Sequence, residues 1–185
     1  MMKKEIRSNS SDVIVDGRLI YGCAIKFNSE SQDIGWIETI SPEAVTDDLI
    51  KNSDVFALLN HNEDDVLARC RYGEGSLKLE LKSDGLYYEF EAPHTIKGDE
   101  LIEHIKRGEI WASSFGFTIT EDGDEWSQDI HGTLHRKITK IDRLYDVSPV
   151  YEPAYLSTSC NKREMVDKLN QDLNSKLADI YLYKI

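Results

Sequence analysis

Strict alternation of polar and apolar residues is the feature that most limits what this chain can fold into. Ser76-Leu77-Lys78-Leu79-Glu80-Leu81 puts its leucines on one face and its polar side chains on the other, the period of two that marks a half-buried strand. Ser83-Asp84-Gly85 supplies turn residues, and Leu86-Tyr87-Tyr88-Glu89-Phe90-Glu91 returns as a second strand. The pair reads as a β-hairpin. Residues 19–27, 111–120 and 134–146 have the same β-rich character, and Glu121-Asp122-Gly123-Asp124 reads as a loop. Two helices interrupt the strands. One starts at Pro42, behind Ser41 as N-cap, and is expected to run to about Ile50. The other covers Asp99 to about Lys106, with Leu101, Ile102 and Ile105 on one face and Arg107-Gly108 at its end. The expected fold is mainly β with flanking α-helices.

Composition narrows the function more than the fold. A chain of 185 residues, 40% hydrophobic and 30% charged, suits one soluble domain with a short terminal appendage. No apolar run approaches the roughly 20 residues that span a bilayer, and Met1-Met2-Lys3-Lys4-Glu5 lacks the apolar core of a secretory signal. The expected location is the cytosol, with no membrane partner. A net charge of −12 argues against nucleic acid, whose phosphates demand clustered cations. The richest basic stretch, His135-Arg136-Lys137 to Arg143, is interrupted by Asp142 and reads as the solvated face of a strand. Cys23, Cys70 and Cys160 form no CxxC pair. They are expected as small buried residues, not as a disulfide framework or a metal site.

Beyond Thr158 the pattern changes. Residues 164–180 contain no Gly or Pro, and Val166, Leu169, Leu173, Leu177 and Ile180 fall at helical spacing. This amphipathic helix either docks on its own domain or serves assembly.

Three clusters carry candidate chemistry. Phe56-Ala57-Leu58-Leu59-Asn60-His61-Asn62 ends an apolar run on a histidine before the acidic residues Glu63, Asp64 and Asp65. Such a histidine is either a satisfied core residue or a general base at a strand end. Trp111-Ala112-Ser113-Ser114-Phe115-Gly116-Phe117 sets small residues in an apolar strand. Its glycine would allow close backbone approach, although a small residue packed in a sheet is the simpler reading. It is not the G-x-S-x-G elbow of α/β-hydrolases. Asp146, in Leu144-Tyr145-Asp146-Val147-Ser148-Pro149-Val150, is an acid at an apolar strand end and must find a partner, since an unpaired buried carboxylate is costly.

In order and content these segments resemble the prohead protease family of tailed phages, the HK97-type maturation proteases, related in fold to the herpesvirus capsid-maturation proteases. The elements that carry the resemblance are Gly22-x-Ala24, Leu58-Leu59-Asn60-His61 followed by Arg69, Asp84-Gly85-Leu86 and the helix ending at Gly108. Ser113-Ser114-Phe115-Gly116-Phe117, Asp146-Val147-Ser148-Pro149-Val150 and Pro153-Ala154-Tyr155 complete the set. Together they span about residues 17 to 158.

The resemblance implies a herpesvirus-assemblin-like closed β-barrel over residues 17–160, after a flexible segment 1–16 and before a tail 161–185. It implies a serine endopeptidase with His61 as base, Ser114 as nucleophile and no cofactor or metal. The family's acid is usually Glu in a Glu-Val-Ser segment, and Asp146 stands there. Related viral proteases use a second histidine instead, which leaves His94, His104, His131 and His135 open. The N–H groups around Phe115 and Gly116, or else Arg69 or Arg136, would serve the oxyanion. The implied substrates are scaffolding segments of the major capsid protein, and the enzyme itself, inside assembling proheads in the host cytoplasm. A homo-oligomer is implied because the herpesvirus enzymes act as dimers. The alternative is an inactive capsid-assembly or scaffolding protein that keeps the protease fold.

Overall fold

The alternating segments pair as their pattern requires. A computed structural model describes residues 3–9 and 13–151. Its elements are β1 (Glu5–Asn9), β2 (Ile14–Asp16), β3 (Leu19–Lys26), β4 (Ile37–Ile40), α1 (Asp47–Asn52), β5 (Asp54–Leu58), β6 (Val66–Arg71) and β7 (Glu74–Gly75). They continue with β8 (Leu77–Lys82), β9 (Gly85–Glu91), α2 (Ile96–Lys106), β10 (Ala112–Ile119), β11 (Asp124–Gln128), β12 (Leu134–Ile138) and β13 (Ile141–Val150). β8 and β9 form the expected antiparallel hairpin, with Lys82 opposite Gly85 across the turn.

Among the described residues the strands form three sheets, not one closed barrel. A six-stranded sheet runs β1-β10-β13-β5-β6-β7, a four-stranded sheet β2-β3-β9-β8, and a three-stranded sheet β11-β12-β4. The first two pack face to face, β10 and β1 against β3, and β6 against β8. They share one core that includes Ile20, Ile25, Val55, Leu86, Phe90, Phe117, Leu144 and Val147. Among the described residues no ladder joins one sheet to the next, and the two larger sheets meet through a shared apolar core instead, which is why the barrel expectation fails.

The helices keep their apolar faces but shift their bounds. Pro42–Ala44 is a separate 3-10 turn, and Val45 and Thr46 are extended before α1 begins. The Thr46 side chain accepts from the Leu49 N–H, so a capping threonine divides the helix expected over 42–50. α2 starts earlier than expected because Thr95 caps the Gly98 N–H, and it buries Leu101, Ile102 and Ile105. The strand expected over 134–146 is broken at Thr139-Lys140, whose N–H groups both donate to the Gly123 carbonyl.

The larger departure is at the N-terminus. Residues 5–9, expected to be flexible, form β1 and pair antiparallel with β10. Their polar composition hid the strand, because Glu5 and Arg7 find their partners far away in sequence. Arg136 grips both oxygens of Glu5 at 2.6 and 2.9 Å, and Arg7 grips Glu38 at 2.7 and 3.0 Å. Arg136 also reaches Glu38 and Asp124. It is 4% exposed, so it is not the solvated basic residue that its neighbours suggested.

Among the described residues no helix is long and apolar enough to cross a membrane. Cys23 and Cys70 are buried and unbridged. Cys160 and the amphipathic segment 164–180 lie outside the described residues.

Candidate active site

Neighbouring strands of the six-stranded sheet bring the three sequence candidates together. Ser114 lies on β10 opposite Ser148 of β13, and Gly116 lies opposite Asp146. On its other side Asp146 pairs with Phe56 of β5, in the middle of β13 and not at the strand end expected. β5 then runs out at Leu58, and the following turn swings His61 back over β13. That turn is closed by backbone bonds from Leu59 to Asp65 and from Asn60 to Pro149, and the Asn62 side chain ties down Asp65. Asn60 and His61 are both left-handed, with φ of 51° and 61°. Such backbone persists only where the surroundings over-determine it.

The geometry is a continuous relay. His61 Nδ1 lies 2.5 Å from Asp146 Oδ1, and His61 Nε2 lies 2.5 Å from Ser114 Oγ. With a proton on Nδ1 held by the carboxylate, Nε2 presents its lone pair to the serine. The Ser148 hydroxyl donates to the same Asp146 oxygen at 2.7 Å. The other oxygen, Oδ2, faces the Lys4 ammonium at 2.9 Å, an ion pair that lacks hydrogen-bond geometry. Burial by itself would push the Asp146 carboxyl up. The His61 hydrogen bond and charge, with Lys4 and Ser148, outweigh that and hold it below the ordinary aspartate value.

Ser113 and Ser114 turn to opposite faces, as successive strand residues must. Ser113 Oγ sits 3.0 Å from the Tyr88 hydroxyl inside the core. A Cβ on Gly22 would collide with that tyrosine ring, which gives the Gly22-x-Ala24 segment its packing reason. Gly116 has a different reason from the one its sequence suggested. A Cβ there would collide with the Asp146 carboxylate and the Lys4 side chain, so the glycine makes room for the acid.

Four of the remaining candidates are engaged elsewhere. His104 pairs with Glu109 and His135 with Asp129. Arg69 is held by Asp54, and Arg136 by Glu5, Glu38 and Asp124. Sequence reasoning missed Lys4 and Ser148. Ser148 was within reach of it, two residues from Asp146 on the same strand face, whereas nothing local to Lys4 announces its partner.

No curated protein matches the chain. In fold it is similar to the solved structure of the bacteriophage T4 capsid assembly protease, gp21, with a TM-score of 0.54 and 12% sequence identity over 81% of this chain and 98% of that one. The family model described as caudovirus prohead serine protease matches residues 4–172, from the lysine beside Asp146 to well past β13. The chain belongs to the caudovirus prohead serine protease family.

Proposed function

We propose that the protein is a serine endopeptidase that cleaves scaffolding segments of the major capsid protein, and itself, within assembling proheads. The observation that carries this reading is the unbroken Asp146–His61–Ser114 relay at 2.5 Å on both sides of the imidazole. A serine hydroxyl is a weak nucleophile until a base takes its proton. His61 Nε2 accepts that proton as Ser114 Oγ attacks the scissile carbonyl, then returns it to the leaving amine as the acyl-enzyme forms. Water, deprotonated by the same nitrogen, releases the acyl group. Asp146 keeps Nδ1 protonated and stabilises the imidazolium without taking the proton itself. Main-chain N–H groups of β10 near Phe115 and Gly116 are the donors proposed for the oxyanion. A relation in fold to the herpesvirus capsid-maturation proteases and a homo-oligomeric working form belong to the same proposal.

The test is co-expression of the chain with its capsid precursor, comparing wild type and Ser114→Ala by intact mass. Defined precursor fragments with wild type and none with the variant are expected. Identical fragments from both would reject Ser114 as nucleophile. The competing reading, an inactive assembly protein, draws on one observation: Ser114 is fully buried.

A further inference from the structure

A nucleophile must touch its substrate, yet Ser114 is 0% exposed and Asp146 1%. The cover is β1. Ser8 lies directly opposite Ser114, and the Ser114 hydroxyl reaches the Arg7 main-chain carbonyl at 2.9 Å. A serine has one hydroxyl proton, and two acceptors compete for it here, the Arg7 carbonyl and His61 Nε2. Lys4, just before the strand, sits on Asp146. An open groove of about 440 Å³ runs alongside, lined by Phe56, Leu58, Val66, Tyr145 and Lys4, and it reaches Asp146 but not Ser114.

β1 lies in extended form along the edge of β10, as a peptide bound by strand addition would. In an antiparallel ladder alternate residues turn their N–H and C=O groups to each neighbour in turn. Half of the β10 main-chain donors therefore face β1, and its departure would free them for another extended segment. The strand is also built to leave. It is an edge strand, all five of its side chains are only half-buried, and beyond its ladder to β10 it is held by polar contacts: the ion pairs of Glu5 and Arg7, and the Asn9 amide, which donates to the Cys23 and Ala24 carbonyls of β3. β10 beneath it buries seven of its eight residues and belongs to the core. Local opening draws on such weakly packed elements.

We propose that β1 is an intramolecular occupant of the substrate cleft, which must leave the β10 edge before Ser114 can reach a scissile carbonyl, and whose place an extended segment of the protein to be cleaved then takes. The proposal rests on Ser114 being the nucleophile. In the closed state the Arg7 carbonyl shares the serine proton, and opening leaves it to His61 alone.

The test reads access to position 114 without needing catalysis. In the full chain carrying Ser114→Cys, alkylation of residue 114 by iodoacetamide is followed by peptide mass, with buried Cys70 on β6 as the control for global unfolding. Adding Glu5→Gln weakens the clasp on Arg136 and should speed alkylation at 114 roughly tenfold relative to Cys70, the loss of a charge-assisted bond. Arg7→Gln, which loosens the grip on Glu38, should raise the same ratio. If residue 114 and Cys70 react in step in both variants, opening is global and the proposal is wrong. It is equally wrong if neither variant changes the ratio. If position 114 opens as expected but wild type never cleaves the capsid precursor, the protease reading fails while the displaceable strand stands.

Discussion

Each of the three relay residues is held by a contact whose loss has a distinct signature. Ser114 and His61 act as one unit in the proposed reaction, so Ser114→Ala and His61→Ala should each abolish cleavage of the precursor, and the double variant should be no worse than either single one. Additive losses in single-turnover assays would show that the two residues do not work together. Asp146→Asn preserves the size of the side chain but lets the amide favour the wrong imidazole tautomer. Turnover should fall by about four orders of magnitude while the melting curve stays cooperative; near-normal turnover would remove Asp146 from the relay. Gly116 explains the tolerance for an acid at this point, because its missing Cβ is the space in which the carboxylate sits.

At the scale of elements, the buried ion cluster ties β1 of the six-stranded sheet to the three-stranded sheet, and among the described residues no hydrogen-bonded ladder connects the two. Glu5 and Arg7 come from β1, Glu38 from β4, Asp124 from β11 and Arg136 from β12. Burial by itself would lower the Arg136 pKa, but hydrogen bonding to Glu5 and the charges of Glu38 and Asp124 raise it instead. Removing one member of such a cluster strands its partners in a dry environment. Arg136→Met should therefore destabilise the fold by about 3–5 kcal/mol in urea titrations, a large share of the ordinary stability of a domain. Arg136→Lys should recover only part of this, since an ammonium cannot fork across the Glu5 carboxylate. A loss below about 1 kcal/mol would mean that the cluster is held by its surroundings and not the reverse. The element bounds teach a related lesson. The Leu101-Ile102-Ile105 face was legible because i, i+1 and i+4 spacing is local, whereas the break before α1 depended on which of several residues would cap, and Thr46 did.

For the whole molecule, Asp146 and Glu5 are two of the carboxylates through which the fold responds to acid. Asp146 and Glu5 both titrate below their ordinary values, Glu5 because Arg136 and Arg7 outweigh the cost of its burial. The folded state thus binds fewer protons than the unfolded state between the depressed and the ordinary values. Their contribution is fully present above the ordinary range near 3.8–4.5 and is lost as pH falls through the lower folded values. Thermal melts should show stability from these groups flat from pH 7 to about 5 and falling steeply below 4. In Glu5→Gln the fall between pH 4 and 3 should be shallower; an unchanged slope would show that Glu5 takes no part.

The sequence by itself determined the β-rich class, the β8–β9 hairpin and the apolar face of α2, and through the family resemblance it pointed to His61 and Ser114, with Asp146 or a second histidine as their partner. Periodicity and turn chemistry act over a few residues, and the ordered segments around His61, Ser114 and Asp146 carried the family. Only the tertiary structure decided what lies between and over them. Among the described residues it made three sheets where a closed barrel was expected, turned Arg136 inward, put Lys4 on Asp146, and laid β1 beside Ser114. Those contacts join residues far apart in the chain, Ser114 to Arg7 and Arg136 to Glu5. A polar residue carries no local mark of whether it will face water or a distant counter-charge, so the cover over the nucleophile became visible only when the sheets came together.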